Sequence, residues 1–532
     1  MNQSNQPRAA YFCMEYGLHE DFKIYSGGLG ILAGDILKAA KDGGWPMVGV
    51  GILWRQGYTR QLIGGDGKPY DCFPDYSYDF LEDTGVSVKV PIRGRQVEAK
   101  VWKCEKYGNV PLYLLDTNLP QTDSYLTGQL YGWFEEERIA QEMLLGIGGV
   151  RALQKLGIDV DVYHFNDSHP VFAGVELIHQ QMERHGLEFG EAWKRVKEKI
   201  VFTTHTPVKA GNELHGHDIL QYLGAYDGLT YGQMLQLGGS PFSMTAAGLR
   251  LSRKANAVSV LHGETARKMW ADVPGGSSIL AITNGVHNGT WQDAGMYAAF
   301  RNGGDLWEAH RALKHAMMEE VFARNGVRLR EDVLTIGFAR RAAPYKRTDL
   351  IFRDGVTAAK LLKEKKIQLI FAGKAHPNDF EGKKILAHVV ERAREFPESV
   401  VFLQDYDMAV GKLLTRGCDV WLNNPVRPME ASGTSGMKAA MNGVLNCSVL
   451  DGWWPEACEH GVNGWQIGGG YTGENADDVD AASLGRVLTQ EILPAYGDRQ
   501  KWCAMMHASI EMATHRFSAA RMVQDYYERL YR

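Results

Sequence analysis

A run of small residues that ends in a lysine, from Glu430 to Lys438, is the segment best suited to chemistry. It reads Glu-Ala-Ser-Gly-Thr-Ser-Gly-Met-Lys and lies between a strand-like run, Asp419–Leu422, and a helical pattern, Met437–Gly443. Such a loop offers backbone N–H groups and the positive end of a helix dipole to an anion. Lys438 can bind phosphate as a point charge, or it can be desolvated and form a Schiff base with an aldehyde cofactor. Composition alone leaves an ordinary glycine-rich turn with a surface lysine as the alternative.

A second segment, from Phe338 to Arg347, follows the strand-like run Val333–Gly337 and is strongly basic. Its four cations are Arg340, Arg341, Lys346 and Arg347. Four buried, unpaired cations would be costly, and cations near a helix N-terminus oppose its dipole unless an anion is present. We therefore expect them to face phosphate, with a solvated basic loop as the common alternative.

The glycine-rich segment from Tyr25 to Asp35 carries the pattern G-x-G-x-x-A, starting at Gly28, which fits the dinucleotide fingerprint. A Rossmann dinucleotide site also needs an acidic residue at the end of the next strand, about 20 residues on. The next strand-like run, Pro46–Leu53, is followed by Trp-Arg-Gln. A nicotinamide dinucleotide is therefore not the expected ligand.

Polar residues also follow two other strand-like runs, where they would face a cleft. These residues are His164, Asn166, Asp167 and His169, and then His205. His215 and His217 raise the question of a metal, but we expect none, because these motifs offer no tetrahedral ligand set. Histidines that satisfy loop backbone groups are the commoner arrangement.

The elements that must position these residues alternate between strand and helix along most of the chain, which predicts doubly wound α/β sheets. The expected strands are Ala9–Met14, Pro46–Leu53, Val110–Leu115, Val160–Phe165, Ile200–Thr204, Ile279–Thr283, Val333–Phe338, Ile367–Ala372, Ser399–Leu403 and Asp419–Leu422. The expected helices include Glu135–Lys155 and Val171–Arg184, and Arg55–Arg95 is expected to form loops or a small antiparallel excursion.

We predict two Rossmann-like domains that face each other across a cleft, the default ligand site of this architecture. Residues 1–315 would form the first domain, 316–332 a linker and 333–500 the second domain. Residues 501–532 would form helices that pack back across the domains.

Composition excludes several classes of protein. A chain of 532 residues is too long to fold around one hydrophobic core, so several domains are expected. The net charge of −5 gives no reason to expect nucleic acid or an anionic membrane as partner. Seven scattered cysteines without a C-x-x-C pair fit reduced thiols in the cytoplasm. No secretory h-region or apolar run of membrane-spanning length is visible in the sequence.

The segments around Lys438, Lys346, Gly28, Asp167, His205 and Asn284 together resemble the α-glucan phosphorylases, in the same order along the chain. The compact bacterial and archaeal type is the nearest in size. This resemblance implies the GT-B fold, with pyridoxal 5′-phosphate bound to Lys438 as a Schiff base. The Ala-Ala-Pro stretch before Tyr345 departs from the longer animal and plant enzymes, which leaves the shape of that loop open.

The resemblance also implies roles for individual residues. The cofactor residues are Lys438, Gly27, Gly28, Arg340 and Thr434, and the residues at the substrate phosphate are Arg341 and Lys346. Asp167, His205 and Glu430 are counted with Arg341 and Lys346 as catalytic, and the sugar side is formed by Asn284, Tyr345, Ser432, Gly433, Asn166 and His169. No role carries over to His287.

The implied reaction is phosphorolysis of an α-1,4-glucan such as glycogen, starch or maltodextrin by inorganic phosphate, which releases glucose 1-phosphate with retention. Retaining hydrolases use two carboxylates, and these motifs contain no such pair. The cofactor phosphate, with a second pKa of about 6, would trade a proton with the substrate phosphate instead. A homodimer is expected from the family.

Two rival functions remain open at this level. A nucleotide-sugar glucosyltransferase of the glycogen-synthase kind would share the fold and the glycine loop but would need no pyridoxal phosphate. A catalytically silent carbohydrate-binding protein could also use this scaffold, although it would have no physical need for the complete set of charged residues.

Overall fold

The computed structural model describes residues 6–120, 123–208 and 211–532. Residues 1–5, which belong to the polar N-terminal segment and to the predicted first domain, lie outside the described residues. The contacts divide the chain into two compact units. The first unit contains Met1–Tyr58, Phe73–Thr283 and Met522–Arg532, and the second contains Thr59–Cys72 and Asn284–Arg521.

This division differs from the predicted domain bounds. Residues 284–315 and the hairpin at 59–72 group with the second unit, and the C-terminal segment is shared between the two units. Contacts within the second unit give the reason: Met296 and Leu306 pack in the same core cluster as Leu334. In the hairpin, the Gln61 side chain donates to the carbonyl of Ala375.

The strands are numbered along the chain. They are β1 (Ala9–Phe12), β2 (Met47–Ile52), β3 (Arg60–Ile63), β4 (Pro69–Cys72), β5 (Glu82–Ile92), β6 (Arg95–Cys104), β7 (Leu112–Asp116), β8 (Val162–Asn166), β9 (Ile200–Thr203), β10 (Leu214–His215), β11 (Phe242–Ser243), β12 (Lys254–Ala257), β13 (Ile279–Ala281), β14 (Leu334–Ala339), β15 (Ile367–Ala372), β16 (Val400–Leu403), β17 (Val420–Asn423), β18 (Leu445–Val449) and β19 (Gly464–Ile467).

The helices are numbered in the same way. They are α1 (Gly28–Asp42), α2 (Glu135–Met143), α3 (Gly149–Lys155), α4 (Val171–His185), α5 (Phe189–Lys197), α6 (His217–Leu223), α7 (Tyr231–Gly238), α8 (Met244–Leu251), α9 (Val260–Met269), α10 (Asn288–Trp291), α11 (Ala294–Arg301), α12 (Leu306–Asn325), α13 (Thr357–Lys363), α14 (Phe380–Glu395), α15 (Met408–Gly417), α16 (Ser435–Ala440), α17 (Trp454–Ala457), α18 (Ala476–Val487), α19 (Leu493–Tyr496), α20 (Arg499–Arg516) and α21 (Ala519–Asp525).

Both large sheets follow the Rossmann strand order. The second unit contains the parallel sheet β16-β15-β14-β17-β18-β19, which is the order 3-2-1-4-5-6 of a dinucleotide-binding fold. The first unit contains β13-β12-β9-β8-β1-β2-β7-β6-β5. Its strands from β13 to β7 are parallel, and the antiparallel pair β6 and β5 extends one edge. The predicted pair of doubly wound sheets is confirmed.

The predicted strands are all present, shifted by a few residues at their ends. The predicted helix Glu135–Lys155 is α2 and α3 joined by one π-helical turn at Leu144–Gly148. The antiparallel excursion is confirmed as the β3–β4 hairpin, but the sequence patterns did not predict β6, β12, β18 and β19 of the large sheets. Among the described residues, no helix has the length and apolar character that crossing a bilayer requires.

A buried charge network lies beneath the sheet of the second unit. Asp419, just before β17, accepts hydrogen bonds from His310 Nε2 at 3.0 Å and Lys314 Nζ at 2.6 Å, and its Oδ2 also accepts from the Thr335 amide at 2.7 Å. Burial opposes ionisation, but Lys314 outweighs it and lowers the pKa of Asp419. The network therefore ties α12 to β14 and β17.

We expect Asp419→Ala to lower the free energy of unfolding by about 3–5 kcal/mol, because it leaves the buried Lys314 ammonium without its carboxylate. Urea titration measures the effect. Asp332→Ala, which removes an exposed partner of Arg330, is the matched control and should leave stability nearly unchanged. Equal effects of the two substitutions would contradict this account.

Candidate active site

The candidate site of the second unit lies where its sheet reverses direction. Strands β14 and β17 are hydrogen-bonded neighbours, and the chain leaves their carboxyl ends in opposite directions around the sheet. In open α/β sheets, ligands bind in the crevice at such a switch point. The loop after β14 carries the basic motif, and the loop after β17 leads to Glu430 and Lys438.

Glu430 joins these two loops through its carboxylate. Arg340 Nη2 lies 2.6 Å and Lys346 Nζ 2.5 Å from Glu430 Oε2, and all three side chains are at least nine-tenths buried. Burial alone would raise the pKa of Glu430, but the two cations outweigh it and lower the pKa to about 2. Arg340 also donates to Asn423 Oδ1 at the end of β17. Two of the four predicted cations are thus held by one carboxylate.

The other two cations of the motif differ from each other. Arg341 is exposed, so its guanidinium is accessible from solvent. Arg347 is buried and donates to the carbonyls of Asn424 and Pro425, and it pairs with Asp480 at 2.6 Å. The expectation that all four cations face phosphate is therefore wrong for Arg347, because its donors are used by the chain itself.

Lys438 is buried in the wall of the same region. It is the fourth residue of α16, only 7% of it is exposed, and Nζ lies 3.6 Å from the ring centroid of Trp291. A Cβ at Gly436 would come within 2.6 Å of Asn446 Oδ1 and 3.0 Å of the Trp453 ring. The loop therefore needs a glycine there to pack closely, and the surface lysine that composition left open is excluded.

The loop before Lys438 is fixed by its backbone. Asp451 accepts from the Glu430 amide at 2.9 Å and from the Gly452 amide at 2.8 Å. Gly433 has a φ of 83°, in the region that favours glycine. The Ser432 hydroxyl is buried and has no hydrogen-bond partner among the described residues. It is thus available to a ligand.

Two further predicted sugar contacts belong to the second unit. The side chain of Asn284 is buried, and its Oδ1 finds no hydrogen-bond partner in the described part of the chain. The ring centroid of Tyr345 lies 4.6 Å from Lys346 Nζ. Thr434 precedes α16 directly and accepts from the Lys438 amide through its carbonyl at 3.3 Å.

The first unit has a corresponding carboxylate at its own switch point, between β1 and β8. Glu15 accepts from the amides of Ser26 at 2.5 Å and Gly27 at 3.1 Å, and from the Tyr131 hydroxyl at 2.7 Å. The amide of Gly27, expected to approach a phosphate, is therefore engaged by Glu15. A Cβ added at Gly27 or Gly28 would meet no atom within 4 Å, so space remains in front of α1.

The histidine and asparagine predicted from separate motifs meet in the first unit. His205 Nε2 donates to Asn166 Oδ1 at 2.5 Å, and Asn166 donates to Cys13 Sγ at 3.1 Å. Burial, assisted by neighbouring histidines, lowers the pKa of His205 to about 3, so the imidazole is neutral at pH 7. Burial raises the pKa of Asp167 to about 7.

Two other predicted histidines have structural contacts. His169 Nε2 lies 3.3 Å from Arg138 Nη2, and burial lowers the pKa of His169 to about 4. His287 Nδ1 contacts Thr290 Oγ1 at 2.8 Å at the start of α10.

The site residues that the sequence analysis missed are Glu15, Tyr131, Arg138, Trp291 and Asp451. Glu15 could have been found, since it follows β1 at the carboxyl edge of the sheet.

Comparison with known proteins finds relatives of nearly the whole chain. A family model described as "Carbohydrate phosphorylase" matches residues 299–482. The maltodextrin phosphorylase of Thermococcus litoralis is 40% identical over 98% of this chain and 70% of its own length. The glycogen phosphorylase of Aquifex aeolicus is 36% identical over 97% of this chain and 85% of its own. An uncharacterised protein of Methanocaldococcus jannaschii is 36% identical over 98% of this chain and 99% of its own.

Two Rossmann-like sheets, each with a carboxylate-anchored loop at its switch point, define an α/β protein of the GT-B class. Within that class the chain belongs to the carbohydrate phosphorylase family.

The Glu430 pairing predicts how stability depends on pH. The folded-state pKa of about 2 lies below the ordinary value of about 4.3, so the stabilisation is present above the unfolded-state pKa and is lost as the pH falls towards 2. At pH 7, Glu430→Gln should be about 3–5 kcal/mol less stable than wild type, because two buried cations lose their carboxylate.

Urea titration at pH 7 and at about pH 3 tests this, and the gap between variant and wild type should narrow at the lower pH. Glu319→Gln, which removes a solvent-exposed partner of Arg328, should show no comparable gap. A gap that is independent of pH would argue against an ionised Glu430.

Proposed function

We propose that this protein cleaves α-1,4-glucan with inorganic phosphate and releases α-glucose 1-phosphate with retention, using pyridoxal 5′-phosphate held by Lys438. The observation that carries the proposal is the convergence of Arg340 and Lys346 on Glu430, at the head of the loop that ends in the buried Lys438. The relatives are named maltodextrin phosphorylase and glycogen phosphorylase, which supports the same reaction here.

The residues around Lys438 fit a phosphorylated aldehyde. A buried amine against the Trp291 ring is the environment in which lysine binds a carbonyl group. The unpartnered Ser432 hydroxyl and the close-packed Gly436 border the same loop. When bound, the cofactor supplies a phosphate near its second pKa of about 6, which can exchange a proton with the substrate phosphate at neutral pH.

The protein's own residues bind the two phosphates. We assign Arg341 and Lys346 to the substrate phosphate, and Arg340, Thr434 and the Gly28 amide to the cofactor phosphate. The cations offset the repulsion between two phosphates, which is the main electrostatic cost of the reaction. A phosphate that binds Lys346 competes with Glu430 for the ammonium, which leaves the Glu430 carboxylate able to accept from a sugar hydroxyl.

The first unit contributes neutral groups on the sugar side. His205 carries its hydrogen on Nε2 and directs it to Asn166, so its other nitrogen is an acceptor for a hydroxyl group. We assign the other sugar contacts to Asn284, Tyr345, Ser432, Gly433 and His169, and we count Asp167, which directly follows β8, among the catalytic residues. We further propose a homodimer that acts in the cytoplasm.

The activity is tested by incubating the purified protein with maltodextrin and phosphate and measuring glucose 1-phosphate. Release that depends on phosphate supports the proposal. Glucosyl transfer from a nucleotide sugar without phosphorolysis would favour the glycogen-synthase type, and no turnover of either donor would favour a silent binding protein.

We expect Lys438→Ala to lose both phosphorolysis and the near-ultraviolet absorbance of bound pyridoxal phosphate, because no other group would hold the aldehyde. Lys360→Ala, at an exposed lysine of α13, is the control and should retain both. Borohydride reduction followed by peptide mapping should label Lys438. Full phosphorolysis by Lys438→Ala would refute the cofactor assignment.

We expect Arg341→Ala to raise the KM for phosphate by roughly 10–100-fold and to lower kcat, since a charge-assisted hydrogen bond to phosphate is worth about 1.5–3 kcal/mol. Initial rates at varied phosphate concentration measure this. Arg353→Ala, at an arginine paired with Asp478 outside the motif, should leave the phosphate dependence unchanged. An unaltered KM in Arg341→Ala would remove Arg341 from the phosphate site.

A further inference from the structure

One face of the first-unit sheet carries two rows of hydrogen-bonded side chains. Side chains alternate between the two faces along a strand, so His164 and Asn166 of β8 lie on the same face. Asn166 belongs to the upper row at the carboxyl edge, where His205 donates to it. His164 belongs to a lower row, further inside the sheet. The lower row therefore lies one step beneath the pair that His205 forms with Asn166.

The lower row joins the C-terminal segment to three neighbouring strands. The Tyr531 hydroxyl lies 2.8 Å from His164 Nδ1, and His164 Nε2 lies 2.6 Å from Thr203 Oγ1 of β9. Thr203 then donates to Asn256 Oδ1 of β12 at 2.6 Å. At most 2% of any of these four residues is exposed. A hydrogen bond lost from this row would therefore leave a buried polar atom without a partner.

The direction of each hydrogen bond in the lower row follows from its donors. Thr203 has one hydroxyl hydrogen and gives it to Asn256, so its oxygen must accept from His164. His164 therefore carries its hydrogen on Nε2, and its Nδ1 accepts from the Tyr531 hydroxyl. Burial lowers the pKa of His164 to about 3, so the ring is neutral at pH 7 and can fill both roles.

The backbone connects the lower row to the pair formed by His205 and Asn166. Asn166 and Thr203 are directly opposite in the pairing of β8 with β9, and the Asp167 amide donates to the Thr203 carbonyl at 2.9 Å. His205 lies only two residues beyond Thr203. A shift of β9 relative to β8 would therefore change the distance between His205 Nε2 and Asn166 Oδ1.

We propose that Tyr531 and His164 are positioning residues for the proposed phosphorolysis. They act through β8 and β9, whose spacing keeps His205 Nε2 on Asn166 and leaves the other nitrogen of His205 to accept from a sugar hydroxyl. This inference rests on the function proposed above, but the state of the His205 ring can be measured without any activity.

The kinetic test compares Tyr531→Phe with Tyr527→Phe in the full-length protein. Both remove one hydroxyl from the same C-terminal segment, but the Tyr527 hydroxyl donates to the Pro46 carbonyl, outside the row. Tyr531→Phe should lower kcat roughly 10-fold, because small misplacements of a positioned group are costly, and should leave the KM for phosphate within about twofold. Tyr527→Phe should keep both constants close to wild type, which separates the row from docking of the segment.

His164 offers a rescue experiment. His164→Gln retains one acceptor and one donor, whereas His164→Leu retains neither. His164→Gln should therefore keep most of the wild-type kcat, and His164→Leu should lose at least as much as Tyr531→Phe. If His164→Leu does not fold, the comparison of the two tyrosine variants still decides the proposal.

Imidazole ¹⁵N NMR measures His205 directly, with its signals assigned from a His205→Gln sample. Wild type and Tyr527→Phe should show His205 with its hydrogen on Nε2 alone, and Tyr531→Phe should shift or broaden these signals. If wild type shows no phosphorolysis, the proposed function fails and the NMR comparison alone decides the positioning role. His205 signals that are unchanged in Tyr531→Phe would overturn the proposal, and so would an unchanged kcat in an active enzyme.

Discussion

Two buried cations share one carboxylate in the second unit, and the remaining features of its site depend on this pairing. Arg340 comes from the loop after β14, and Glu430 comes from the loop after β17. If Glu430 were absent, Arg340 and Lys346 would repel each other in a desolvated environment. The pairing therefore holds the two loops together.

The same principle applies to the first unit with backbone donors in place of cations. Glu15 follows β1 and gathers the amides of Ser26 and Gly27, while Tyr131 binds its other oxygen. A Cβ at Gly30 would come within 2.5 Å of Glu15 Oε2, so the glycine is needed for the carboxylate to approach the helix. In both units, an internal anion shapes the loop at the switch point of the sheet.

Several polar residues within the functional motifs serve the fold instead. His164 contacts the Tyr531 hydroxyl and Thr203 Oγ1, which ties the C-terminal residues to β8 and β9. Arg347 closes its own loop through the carbonyls of Asn424 and Pro425 and through Asp480. Short motifs thus mix residues that face a ligand with residues that hold the loop, and only contacts distinguish the two kinds.

The sequence by itself determined the fold class, most strands of both sheets and the motif that ends in Lys438. These features are local: apolar runs, glycine-rich turns and helical periodicity depend on neighbours along the chain. Tertiary structure decided which cation pairs with which carboxylate, that Trp291 covers Lys438, and that Tyr531 meets His164. Those contacts join residues far apart in the chain. Their free energies depend on burial and distance, which the spacing of residues along the chain does not specify.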